Sequence, residues 1–179
     1  MSEVLANQFL PSFDVQTLQS ISIAAPSSVV FAEARKLDFS NSFVTRALFA
    51  IRGIPTSALS ANGISQIGFK LLREDTGHGF VFGLIGRFWT LGGGIADFDA
   101  DDFVNFNHPG YAKAVWSFEV RPRGDITDLS TITRVRCLDS ESQRRFRRYW
   151  LFVRPFSDII RREALRSVKQ RSEILIQST

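Results

Sequence analysis

The chain has 179 residues, 44% of them hydrophobic, and a net charge of +4 at pH 7. This is enough material for one well-buried core, and no Pro-, Ser- or Gly-rich linker divides it, so we expect a single domain over residues 1–179 with residues 1–13 as an N-terminal arm. The single cysteine excludes an internal disulfide, and neither a signal-peptide pattern nor an apolar run of roughly 18 residues is present. These features predict a cytoplasmic protein without a membrane span.

The positive charge belongs to the C-terminal part of the chain. Residues 140–179 contain nine Arg and one Lys against four acidic residues. The basic side chains of one face could attract nucleic acid or anionic lipid, although a solvated helix face is the simpler interpretation. They are Arg144, Arg148, Arg162, Arg166 and Lys169. We therefore predict no specific nucleic-acid partner.

The first third of the chain predicts a strand followed by two short helices. Residues 15–24 alternate between apolar and polar side chains, which is typical of a half-buried strand. A helix is expected to begin near Pro26. Residues 43–53 indicate a second helix, which Gly53 and Pro55 end.

The middle of the chain predicts antiparallel strands. Residues 64–73 and 80–89 form a hairpin around the T-G-H-G turn, and residues 103–107 read as a further short strand. Residues 111–121 then alternate strictly, which predicts one buried face and one wet face, and the next strand covers residues 129–138. The buried face holds Ala112, Ala114, Trp116, Phe118 and Val120, and the wet face holds Lys113, Ser117, Glu119 and Arg121.

A long amphipathic helix is predicted from Asp139 to Leu175, with Asp139 or Ser140 as its N-cap. Its apolar stripe comprises Phe146, Tyr149, Trp150, Val153, Phe156, Ile160, Ala164, Val168 and Leu175. Pro155 lies in the middle of the helix and predicts a kink there. The alternative is two helices that meet at residues 154–156.

This order of elements resembles the helix-grip fold of the START-like (SRPBCC) superfamily, which includes polyketide cyclase/dehydrases and lipid-transfer domains. Three segments carry the resemblance: ISIAAPSSVVF at 21–31, FNHPGYAKAVWSFEV at 106–120, and LSTITRVRCLD with SQRRFRRYW within 129–150. The resemblance implies an α+β fold in which a curved antiparallel sheet of about six or seven strands wraps around the C-terminal helix. It also implies an apolar cavity between the helix and the sheet.

Polar motifs give little indication of chemistry. His78 and His108 lie in predicted turns rather than at metal-ligand spacing, and Cys137 has no CxxC partner, so a buried structural thiol is favoured over a nucleophile. Residues 97–102 place carboxylates as a calcium loop does, but Asp102 stands where that loop needs Gly. Gly92 to Gly94 match neither a phosphate loop nor a dinucleotide fingerprint. We expect no metal and no cofactor.

Aromatic residues dominate what remains, with 17 Phe, three Trp and two Tyr. An ordinary packed core would explain them as well as a ligand cavity, and the resemblance favours the cavity. The expected lining residues are Phe69, Leu71, Arg73, Phe82, Leu84, Phe106, Trp116, Phe118, Tyr149, Val153 and Phe156. Arg73 is the residue that could meet an acidic head group.

Three functions agree with these observations. The first is binding or transport of a hydrophobic small molecule such as a lipid, polyketide or aromatic compound. A cyclase- or hydrolase-type enzyme is the second, although no acid/base pair stands out, and a protein or nucleic-acid interaction module that uses the basic helix is the third. Leu151 and Phe152 lie off the apolar stripe, so we expect the N-terminal segment or a second subunit of a homodimer to cover them.

Overall fold

A five-stranded antiparallel sheet and a long C-terminal helix form the described part of the protein. The structure, a computed structural model, describes residues 5–37, 68–90 and 94–177. The strands are β1 (Val15–Ile23), β2 (Lys70–Asp75), β3 (Gly79–Gly86), β4 (Ala112–Arg123) and β5 (Ile126–Cys137), in the sheet order β1-β5-β4-β3-β2. The helices are α1 (Leu5–Phe9), α2 (Ser27–Arg35) and α3 (Ser140–Gln177), with a 3-10 helix at Ala100–Asp102.

The α+β class and the long C-terminal helix are thus confirmed. The expected six or seven strands are not, because the described residues contribute five. Residues 103–107 were expected to be a strand, and this is wrong: the amides of Asn105 and Phe106 both donate to the carbonyl of Asp102, which makes a turn. Aspartates favour such turns because their side chains compete for the backbone. The second short helix, at residues 43–53, lies outside the described residues.

Helix α3 runs without interruption through Pro155. The alternative of two helices that meet at residues 154–156 is therefore wrong, whereas a bend at Pro155 stays a prediction. The helix contacts β1, β5 and α2. None of the described helices has the length and apolar content that crossing a membrane requires.

Asp139 is the N-cap of α3. Its Oδ1 accepts hydrogen bonds from the amides of Glu141 and Ser142 at 2.9 Å, and its Oδ2 accepts one from the Ser142 hydroxyl at 2.6 Å. Oδ2 also accepts the amide of Gly110 at 2.5 Å, which ties the start of α3 to the turn before β4. Because four donors stabilise the charged carboxylate, the pKa of Asp139 falls to about 2.

Replacing Asp139 should destabilise the fold in a pH-dependent way. Asp139→Ala removes the cap and is expected to lower the free energy of unfolding by about 1–2 kcal/mol near neutral pH. A depressed folded-state pKa means that the stabilisation is present above pH 4 and is lost as the pH falls towards 2. Urea unfolding at several pH values tests this. Asp139→Asn is the control, because it keeps an acceptor but cannot ionise, so its stability should fall less than that of the wild type as the pH drops below 4. An equal fall in the wild type and in Asp139→Asn would contradict the assignment.

Both faces of the sheet are covered, which corrects one expectation. Within the predicted N-terminal arm, α1 packs on the face opposite α3, with Leu5, Ala6 and Leu10 buried. The face of β4 predicted to be wet is buried too, at Lys113, Ser117 and Glu119.

Polar side chains on this face anchor what covers it. Glu119 Oε1 accepts the amide of Leu5 at 3.0 Å, and Arg134 donates to Asn7 at 2.7 Å and to the carbonyl of Leu10 at 3.0 Å. Lys113 donates to the carbonyls of Phe103 and Val104. Its burial lowers the pKa of its ammonium group. The alternation of the strand is thus correct, but the polar residues bind a covering layer instead of water.

Candidate functional site

Two separate apolar clusters join α3 to the sheet. The first, here called the Phe146 cluster, comprises Leu84, Phe88, Ala112, Ala114, Val135 and Phe146. The second lies near the C-terminal end of α3 and is called the Val168 cluster; it includes Phe80, Phe118, Val120, Leu129, Ala164, Leu165 and Val168, together with residues of α2. The two clusters occupy the same face of the sheet. The region between them is the candidate site.

A single row of side chains crosses the sheet between the clusters. The strand register joins Thr17 to Thr133, Thr133 to Trp116, Trp116 to Phe82 and Phe82 to Leu71. Directly paired residues point to the same side of a sheet, so all five face α3. We call these five residues the central row.

The central row is accessible, whereas its neighbours on the inner strands are buried. Trp116 is the one residue of 112–120 that is not buried, and Phe82 is the one such residue of 79–86. The pairs on either side are closed: Leu84 and Ala114 are each 7% exposed, and Phe80 and Phe118 are 2% and 1% exposed. Thr17 and Thr133 are half-buried and Leu71 is exposed. Accessibility therefore follows one continuous line across the sheet.

The inner face of α3 is also buried at two ends and only half-buried between them. Phe146 and Ala164 are buried, whereas Val153 and Ser157, which lie between them on the inner face, are only half-buried. Close packing would bury these positions as it buries the ends. Within the described residues, α3 and the sheet thus pack at two ends and less tightly in the middle.

The part of the site on β3 and β4 is aromatic. Trp116 contacts Phe118 and Phe69, with ring centroids 5.1 Å and 6.1 Å apart, and Phe80 lies 5.6 Å from Phe82. The indole N–H of Trp116 donates to the Thr131 hydroxyl at 2.8 Å, which holds the ring in place. Phe82 and Trp116 thus lie partly buried against the Val168 cluster, with aromatic surface on the side of the sheet that faces α3.

The part of the site on β1 and β5 is polar. Arg161 is 3% exposed; its Nη1 donates to the hydroxyls of Ser157 at 2.8 Å and of Thr133 at 3.5 Å, and its Nη2 donates to Asp158 at 2.5 Å. Burial lowers the pKa of the guanidinium, and Asp158 opposes that change. Gln19 donates to the carbonyl of Asp158. The site therefore has an aromatic half and a half that carries hydroxyl groups and an ion pair.

Most of the residues predicted from the sequence lie on the α3 side of the sheet or on the inner face of α3. They are Phe69, Leu71, Phe82, Leu84, Trp116, Phe118, Tyr149 and Val153. Leu84 and Phe118 are closed inside the two clusters. Phe82 and Trp116 are the members that the central row exposes.

Arg73 lies on the other side of the sheet, so its expected place beside Phe69 and Leu71 is wrong. A β-bulge between Leu71 and Arg73 pairs Leu71 with Phe82 and Arg73 with Val81. The extra residue reverses the alternation after Leu71. Arg73 consequently donates to Gln8 of α1 at 3.0 Å and does not face the site.

Phe106 is also misplaced by the sequence pattern. Phe106 packs against the apolar cluster on the α1 side of the sheet, which includes Leu10 and Val81. Its ring centre lies 5.6 Å from that of Tyr111 and 4.9 Å from that of His108. Phe106 therefore does not lie between the two clusters. Phe156 is 43% exposed on α3, and its expected place in the lining stays a prediction.

Thr17, Thr133 and Arg161 were missed by the sequence interpretation. Thr133 lies in the strand predicted at residues 129–138, but the sequence pattern does not distinguish it from the other polar residues of that strand. Arg161 falls among nine arginines of the C-terminal segment. Its one distinguishing signal is that Asp158 and Ser157 precede it by three and four residues. At that spacing on a helix both side chains can accept hydrogen bonds from a buried guanidinium.

The alternative chemical sites remain weak in the structure. Burial and the nearby Asp14 carboxylate raise the pKa of Cys137 to about 12, which disfavours the nucleophilic thiolate. Asp97 pairs with Lys70 at 2.7 Å, and His78 is exposed in its turn. No cluster of three or more metal-ligating side chains occurs within residues 5–37, 68–90 and 94–177.

Two surface pockets are each lined by both basic and acidic side chains. One, of about 420 Å³, lies at the start of α3 beside Arg87, Glu141 and Arg145, where Arg145 pairs with Glu141. The other, of about 350 Å³, lies beside α1, where Glu119 binds Arg121. Neither joins the aromatic and polar halves found under α3.

Comparisons with known proteins do not assign a family. No protein-family model matches the chain, and no curated protein matches it. The crystal structure of TTHA0849 from Thermus thermophilus aligns with 92% of this chain and 100% of its own, at 9% identity and a TM-score of 0.30. That similarity is too low to establish a shared fold.

Proposed function

We propose that this protein is a START-like helix-grip protein that binds a hydrophobic small molecule between α3 and the sheet. The central row carries the proposal, because it is accessible along its length while the inner-strand pairs beside it are buried. A binding site for an apolar ligand needs aromatic surface with a few polar groups that fix orientation. Phe82 and Trp116 supply the surface, and Thr133 and Arg161 supply the polar groups.

The lining supports a carrier more than an enzyme. The central row holds two threonines, two aromatic residues and a leucine. Threonine hydroxyls do not exchange protons readily near neutral pH, and the other three side chains are apolar or aromatic, so these five residues offer no general acid/base pair. The ligand we propose is a lipid, polyketide or aromatic compound that carries a hydrogen-bonding group. The cytoplasmic location stays a prediction.

Binding of an uncharged, environment-sensitive dye such as Nile red tests the proposal. We expect the folded protein to raise the dye's emission saturably, and a medium-chain alcohol to displace it. Val153→Trp should abolish the response, because Val153 is half-buried one turn before Ser157 and a larger ring there would occupy the space.

Leu151→Trp provides the matched control on the same helix. Leu151 is 76% exposed, so the same new ring points outwards and should leave dye binding unchanged. Equal dye binding by wild type, Val153→Trp and urea-unfolded protein would overturn the proposal. Loss of binding in both tryptophan variants would equally count against a site under α3.

A further inference from the structure

The outer face of α3 carries an apolar patch that no other segment among the described residues covers. Leu151 is 76% exposed, Phe152 77% and Ile159 41%. The described part of the N-terminal segment does not cover Leu151 and Phe152, contrary to one of our two expectations, because α1 packs on the far side of the sheet. Side chains of this size are rarely left bare together without a binding role.

Four arginines flank this patch along the helix. Arg144 and Arg148 precede it, Arg162 and Arg166 follow it, and all four are exposed. At about 100° per residue they share an arc roughly 100° wide with Leu151, Phe152 and Ile159. That arc contains no Asp or Glu from residue 144 to residue 166. It extends for about 33 Å along the helix.

We propose that this face, called the outer arginine face, binds the surface of a membrane that contains anionic phospholipids. A helix with apolar residues in the middle of a basic face lies in the interface, with its apolar groups among the acyl chains and its cations at the phosphates. The rest of α3 is held by the sheet, so this helix is already formed and oriented. The inference does not depend on the space between α3 and the sheet.

Two other occupants fit this face less well. A symmetric dimer through α3 would bring Arg144 and Arg148 of one copy close to arginines of the other, in either relative direction of the helices. Such like-charge contacts oppose association. A nucleic-acid backbone would meet the arginines but would leave Leu151 and Phe152 without an apolar partner. An anionic bilayer offers phosphate groups to the arginines and acyl chains to the apolar patch.

Sedimentation with lipid vesicles tests the proposal on the whole chain. We expect binding to vesicles of phosphatidylcholine with about 30% phosphatidylserine, little binding to pure phosphatidylcholine, and weaker binding as salt rises above about 0.1 M. Arg148→Gln with Arg162→Gln should weaken binding roughly 25-fold, at roughly fivefold per arginine. Leu151→Ser with Phe152→Ser should weaken it by about tenfold or more.

Matched variants on the opposite side of the protein serve as controls. Leu18 is 60% exposed on β1, and Arg73 and Arg136 are exposed near α1. Leu18→Ser, and Arg73→Gln with Arg136→Gln, should bind vesicles as the wild type does. Circular dichroism should show the same fold in every variant, since all the substituted groups are exposed.

Several outcomes would overturn the proposal. One is a wild type that does not bind anionic vesicles, or that binds neutral and anionic vesicles equally. Another is a control pair that loses as much binding as the variants of the outer arginine face. Light scattering that shows a dimer, which Leu151→Ser with Phe152→Ser converts to a monomer, would assign the face to a second copy of the chain instead.

Discussion

Phe118→Ala should lower the free energy of unfolding by about 3–5 kcal/mol, whereas Trp116→Ala should cost no more than about half as much. The two residues lie two positions apart on the same face of β4. Phe118 is 1% exposed inside the Val168 cluster, and its removal leaves a void that the surrounding close packing cannot fill. Trp116 is only partly buried where it packs against the same cluster, so truncating its larger ring should remove less packed contact.

Urea unfolding of the two variants measures this difference directly. Both residues are aromatic and lie on the same face of the same strand, so these properties do not differ between the two variants. The wild type gives the reference dependence of the free energy of unfolding on urea concentration. If Trp116→Ala costs as much as Phe118→Ala, the space under α3 is an ordinary packed core. The proposed binding function would then be wrong, even if the fold stands.

Arg134→Ala should lower the free energy of unfolding by about 2–3 kcal/mol and release α1 from the sheet. The buried guanidinium of Arg134 donates to Gln16, Asn7 and the carbonyl of Leu10, and it lies 4.6 Å from the ring centre of Phe13. Truncation removes all three hydrogen bonds at once. The buried hydrogen bond to the carbonyl of Leu10 would be lost, whereas the exposed Gln16 can bind water instead.

Hydrogen exchange at residues 5–13, together with urea unfolding, measures this prediction. Arg136→Ala is the matched control, because Arg136 lies two residues further along β5 on the same face, is exposed, and binds Ser12 alone among the described residues. It should cost less than about 1 kcal/mol. Unchanged exchange at residues 5–13 in Arg134→Ala would show that α1 is held by its apolar contacts.

The elements that could be predicted are those with a long regular pattern. Strict alternation from Tyr111 to Arg121 gave β4, and its inward face is the face that packs under α3. The carboxylate of Asp139 and the apolar stripe after it gave the start of α3. Local periodicity suffices in these segments because one side of each element meets a single apolar surface.

The errors arise where a local pattern does not determine the tertiary contact. Arg73 was placed on the wrong face because one extra residue in β2 reverses the alternation, and the sequence carries no glycine or proline there to mark the bulge. Glu119 was expected to meet water because the five-residue helix α1 that covers it is too short to give a periodic signal, and Lys113 because the turn at Phe103 and Val104 that covers it is not periodic. Both residues bind a covering segment instead.

The candidate site was predicted in part. The aromatic residues Phe82 and Trp116 could be found because they share a face with other apolar side chains. Their accessibility could not, since it depends on how closely α3 approaches the sheet at Val153 and Ser157. Arg161 could not be singled out either, because burial separates it from the other arginines of its segment and the sequence does not show burial.

The pairing of β1 with β5 sets the order in which the chain can fold during synthesis. Val15 pairs with Val135 and Ile23 with Thr127, so β1 has no partner strand until roughly a hundred further residues have been made. At ribosomal rates this delay is about 5–20 s. Ile21 and Ile23 lack these strand partners for that time, and the hydrogen bonds of Gln19, Ser22 and Ala24 with α3 form only after residues 158–173 have been made. We therefore expect the nascent chain to need protection from aggregation until α3 has been made, and truncations within α3 to affect solubility more than similar losses elsewhere.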